Sequence, residues 1–140
     1  MRDLAEKLRE LERTLSEEKG PFSLFALFLR EDAPDVWDLV VAAKWIEGDR
    51  PAALADISRR VRDSLGADEI TKISRVVVVE RTDPALKTLA SALSIERGIA
   101  ETANSTFFGL AIRHSFIITA ELNPLPTKVL QRTAAAGGRS

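Results

Sequence analysis

Glu80, Arg81 and Asp83 follow four consecutive valines, Val76 to Val79. Two carboxylates and a guanidinium thus stand at the carboxyl end of an apolar strand, where open sheets with parallel crossovers gather their ligands. Such a set has the chemistry to hold a magnesium ion and a phosphate. A second reading competes with it. Asp83-Pro84 is a helix-start signal, with aspartate accepting backbone N–H groups as N-cap and proline in the first helical position. No glycine-rich phosphate loop accompanies the group, and charged residues ordinarily terminate buried strands. The expectation is that Asp83 caps a helix, Glu80 and Arg81 mark a solvated strand end, and the valines are core.

His114 and Arg113 form the next candidate group. Alternation places His114 between Ile112 and Phe116 on an apolar face, with Arg113, Ser115, Thr119 and Glu121 on the other. A general base needs an orienting partner, and none is visible beside His114 in sequence. It is expected to be a partly buried structural histidine, and Ser115, without a visible base, is not a nucleophile. Pro34-Asp35 with Ala42-Ala43-Lys44 parallels a metal-dependent nuclease pattern, but alanine occupies the position where a carboxylate should bind metal. Arg59, Arg60 and Arg62 form the densest basic cluster; Asp56 and Asp63 lie four residues from Arg60 and Arg59 and neutralise them across a helix turn.

Composition narrows the chemistry further. The 140 residues carry 20 basic and 21 acidic side chains, one histidine and no cysteine. Thiolate zinc sites, disulfides and iron–sulfur clusters are excluded, and no cofactor or metal set is read. A net charge of −1 argues against a nucleic-acid partner on electrostatic grounds. The charged N-terminus lacks a signal-peptide pattern and no run reaches a membrane span, which predicts a cytoplasmic chain with no membrane partner.

These candidates must be positioned by regular elements. Leu4, Leu8, Leu11 and Leu15 recur at helical spacing, predicting a helix over 2–19 that lies on a sheet or forms a leucine seam between subunits. Residues 22–29 are apolar on both faces, predicting an inner strand. A strand over 37–46 follows, with Asp38 and Lys44 at its two ends. A helix over 51–65 faces inward with Leu54, Ile57, Val61 and Leu65, and 67–72 reads as a helical turn. Then come the 73–80 strand, a helix over 84–95, an irregular strand, a turn at Gly109 and a strand over 110–122. The order α-β-β-α-β-α-β-β predicts an α+β domain over 1–122, with a mixed sheet of about five strands in which two hairpins flank a central valine strand. Residues 123–140 read as a tail.

Three passages, PDVWDLVVAAKWIE, KISRVVVVERTDPAL and FFGLAIRHSFIITAE, together resemble a family of small uncharacterised bacterial proteins with a Trp-Asp strand, an Ile-Ser-Arg strand ending in Asp-Pro and an Ile-Ile-Thr strand. The resemblance implies this element order and a bacterial cytoplasmic setting, and it transfers no activity, cofactor or site. With no complete catalytic constellation, the sequence points to a homodimeric, non-enzymatic interaction or regulatory module. The alternative is a small magnesium- or phosphate-dependent enzyme using Glu80, Arg81 and Asp83, with Arg113; a nucleic-acid-associated protein is third.

Overall fold

The structure, a computed structural model, describes residues 2–33, 35–93 and 99–121. The expected tail and the end of the 84–95 helix lie outside the described residues. Helix α1 (Arg2–Lys19) leads into β1 (Leu24–Arg30) and β2 (Trp37–Ala42). Helices α2 (Lys44–Gly48), α3 (Arg50–Ser64) and α4 (Ala67–Ile70) precede β3 (Ile73–Val78). Helix α5 (Pro84–Leu93) then leads to β4 (Ala100–Phe107) and β5 (Leu110–Ala120). The α+β order and the five-stranded mixed sheet match the expectation from sequence.

The strands lie in the order β3-β2-β1-β5-β4. Neighbours are antiparallel except β2 and β3, which run parallel. The apolar both-sided segment at 22–29 does supply the inner strand, β1. The valine strand, however, is not central; it is the edge. The crossover from β2 through α3 sets β3 on the free side of β2, and β5 takes the other side of β1.

Both faces of the sheet are covered by helices. On one, Leu4, Leu8, Leu11 and Leu15 of α1 and Ile57 and Val61 of α3 pack on Phe25, Leu27, Leu39, Val41 and Phe116. The four leucines are buried within this chain, each stabilising it by ~2 kcal/mol, so they do not form an exposed seam for another subunit. Leu86 and Leu89 of α5 cover Leu24, Ala26, Phe28 and Ile117 on the opposite face. Gly20, at φ +131°, closes α1; a Cβ there would lie 3.2 Å from the Trp45 ring, so the turn requires glycine.

Three local expectations are corrected. The 37–46 strand ends at Ala42, and Lys44, Trp45 and Ile46 are helical, with Ile46 buried. The inward row of α3 begins at Ala53, while Leu54 is only half-buried. Finally, the pairing of β5 with β1 slips between Leu29 and Arg30, whose partners are His114 and Ile112. That irregularity at Arg113 puts Ile112 in the α5-side core and leaves His114 and Phe116 on the other face.

Candidate functional site

At the carboxyl end of β3 the expected trio separates into three different tasks. Asp83 Oδ1 accepts the Ala85 N–H at 2.8 Å, and its carbonyl accepts the Leu86 N–H at 3.0 Å, so it caps α5. Glu80 is paired with Arg50 of α3 at 2.7 Å. The Arg81 fork donates to both oxygens of Glu47 at 3.0 and 2.9 Å. That hydrogen-bonded guanidinium holds the Glu47 carboxyl below its ordinary range, and the carboxylate in turn raises Arg81. Glu80 and Arg81 therefore latch the end of β3 to the α2–α3 junction rather than converging on a shared ligand position.

Arg113 and His114 lie at the other end of the sheet. His114 pairs with Leu29 and stands level with Trp37, whose neighbour is Ile73 at the start of β3. The register thus denies Arg113 to Glu80 and Asp83. Instead, Arg113 and His114 line an open cleft of about 620 Å³ with Leu29, Trp37, Glu101, Asn104 and Phe116. His114 Nε2 lies 2.7 Å from Glu101 Oε2, an orienting partner supplied by β4 and therefore invisible in the sequence around position 114. The imidazole packs against Trp37 and Phe116, with ring centres 5.8 and 5.0 Å away. Those two rings are themselves 5% and 3% exposed, so they form the floor of the cleft and offer little surface for stacking.

The other polar positions of β5 are also occupied. Ser115 is fully buried and hydrogen-bonded to Thr102, and Thr119 donates to Glu12 of α1. The basic cluster behaves as its spacing predicts: Arg60 is held by Glu18 and Asp56, and Arg59 by Asp56 and Asp63. Among the described residues no group of three or more His, Cys, Asp or Glu could hold a metal, and no helix is long and apolar enough to cross a membrane.

Sequence reasoning placed Asp38 merely at a strand end and missed its role. Its carboxylate is 5% exposed and faces Arg30 Nε at 3.2 Å and Arg75 Nε at 3.3 Å. Arg30 comes from β1 and Arg75 from β3, so one buried carboxylate ties three neighbouring strands together. The signal available in sequence was weak: one charge on each of three strands, on segments whose adjacency only the sheet order reveals.

Beside this hub lies the exposed edge of β3. Val76, Val77 and Val78 are half-buried, and Ser74 and Arg75 are exposed. The Val79 N–H donates to Val41 at 3.0 Å. In a parallel ladder alternate residues bond inward, so Val77 shares this orientation, whereas the N–H and C=O groups of Val76 and Val78 point away from β2. A shallow cleft of about 230 Å³, lined by Val61, Arg62, Ile70, Ile73 and Val76 among others, runs along that side. The opposite edge, β4, is blunted. Asn104 adopts a left-handed conformation (φ 54°), the pairing skips from Ala103 to Ser105, and Glu101 and Thr106 are exposed.

Comparison with known proteins leaves the site to be judged on this geometry: no protein-family model, curated protein or solved structure matches the chain.

Proposed function

We propose that this chain is a non-enzymatic protein-interaction module whose docking element is the open edge of β3, and that it self-associates. One observation carries the reading: past an irregularity at its start, the most valine-rich strand of the sheet runs as a regular edge from Arg75 onward, with outward backbone groups and half-exposed side chains. Natural sheets normally protect such an edge with a charge, a proline or a bulge. Here the neighbouring charges are engaged elsewhere, with Arg75 on Asp38 and Glu80 on Arg50. A strand added to this edge would gain backbone hydrogen bonds and bury the valines.

The enzyme reading is less well supported, because Glu80, Arg81 and Asp83 are each committed to separate structural partners and Arg113 lies at the far end of the sheet. Two measurements test the proposal. In dilute protein, amide exchange at Val76 and Val78 should be faster than at Val77 and Val79, which face β2. Equal protection of all four amides under those conditions would show that the edge is already covered. A thermal-shift screen with magnesium and nucleoside phosphates should leave the melting temperature unchanged. A rise abolished by Glu80→Gln would restore the enzyme.

A further inference from the structure

We infer that the strand docking on β3 is β3 of a second copy, running antiparallel about a two-fold axis at Val77. The inference rests on the interaction-module reading above and adds the identity and register of the partner strand.

The register follows from the strand itself. A β3 pair related by a two-fold axis normal to the sheet keeps each face continuous, so paired residues must point to the same face. Val77 and Val79 join the α5-side core, while Val76 and Val78 join the α1-side core. The β2–β3 ladder is irregular at its beginning: Trp37 pairs with Ile73 and Asp38 with Arg75. Regular pairs run from Arg75 to Val78, the Val79 N–H bond to Val41 extends the bonded stretch to 79, and the midpoint of 75–79 is Val77. Pairing about Val77 sets Val76 against Val78 of the other copy, twice, and those are the residues whose backbone groups point outward. Arg75 falls opposite Val79, with its charge already taken by Asp38 at 3.3 Å. Ser74 and Glu80, a hydroxyl and a carboxylate, face each other at the ends.

Neighbouring registers are worse. Centring on Val78 sets Val76 against the Glu80 carboxylate and needs Glu80 and Arg81, which lie beyond β3, to join the pairing. Centring on Val76 brings the two Arg75 side chains onto one diagonal and sets Ser74 against Val78. A head-to-tail arrangement, with β3 on the β4 edge of the next copy, meets the left-handed Asn104 and the interrupted pairing there. The geometry therefore favours a closed pair over an open fibre. The two copies form one ten-stranded sheet, with both α3 helices on the same face and both β3-side clefts along the seam.

The chain has no cysteine, which permits a direct test of register. Val77 would meet its own copy in a non-hydrogen-bonded pair with Cα atoms ~4.5 Å apart, within the roughly 4.4–6.8 Å that a disulfide spans. Val77→Cys should form a covalent dimer under mild oxidation. Val79→Cys should not, because its two copies would stand four residues, or ~14 Å, apart along the strands. Sedimentation equilibrium of the parent chain at roughly 100 μM, where even a ~10 μM complex is largely formed, should give twice the 15.4 kDa chain mass. Val76→Pro removes an outward N–H without touching the β2 ladder, so it should halve that mass while leaving the circular dichroism spectrum unchanged.

A parent chain that stays at single-chain mass overturns the second-copy inference. If Val76 and Val78 exchange rapidly in that monomer, self-association falls with it, while the edge is open and the docking reading survives with another partner. If they are protected, both readings fall. A dimer that persists in Val76→Pro, or that cross-links through Val79→Cys and not Val77→Cys, also overturns the inference.

Discussion

Replacing Asp38 by alanine should cost far more than replacing either arginine that it binds. The Asp38 carboxylate is 5% exposed, whereas Arg30 and Arg75 are 21% and 51% exposed. Breaking a fully buried pair from one side costs about 3–5 kcal/mol, because the remaining charge is stranded. Here water reaches both guanidiniums, and Arg30 retains Asp32 at 3.5 Å, itself 73% exposed. The expected loss for Asp38→Ala is therefore lower, ~2–3 kcal/mol. For a chain of this size that is a fall of roughly 7–10 °C in melting temperature. Arg75→Ala leaves Asp38 with Arg30 and removes a half-exposed cation, so it should cost under ~1 kcal/mol. Urea unfolding followed by circular dichroism, at neutral pH and low salt, measures both. If Asp38→Ala and Arg75→Ala lie within about 0.5 kcal/mol of one another, the hub is not what ties β1, β2 and β3.

Asp83→Ala should lower stability by ~1 kcal/mol through the lost cap on α5, and Asp83→Asn or Asp83→Ser should recover most of it in the urea midpoint. Leu8→Glu or Leu11→Glu should unfold the chain, because both side chains belong to its own core; a folded monomer by circular dichroism and sedimentation would contradict that placement. Burial pushes the Glu12 carboxyl up, against the hydrogen bond from Thr119. A native pKa above the unfolded one means that the folded state holds this proton more tightly, so stability from this group is greatest below the unfolded value and falls as pH rises through the folded one. Glu12→Gln should therefore be more stable than the parent at pH 7 and lose that advantage in acid; a variant less stable than the parent at pH 7 would refute the sign.

Much of the architecture is a property of local pattern. Leucines spaced four, three and four apart, a glycine at the end of α1, an Asp-Pro start for α5 and an unbroken apolar run along β1 each specify an element through contacts made within a few residues. Those signals yielded the element order, the α+β class and the caps. The same periodicity describes only the two faces of a strand and says nothing about its edges. Val76 to Val79 therefore read as an inner strand, when the sheet order leaves one side unpaired. Sequence spacing also could not place Glu101 beside His114, Arg75 beside Asp38 or Glu47 beside Arg81, because each pair joins segments that only strand register or helix packing brings together. Local chemistry determined which residues form strands and helices. Tertiary pairing decided which charges are neutralised and which backbone edge faces outward, because both depend on neighbours distant along the chain.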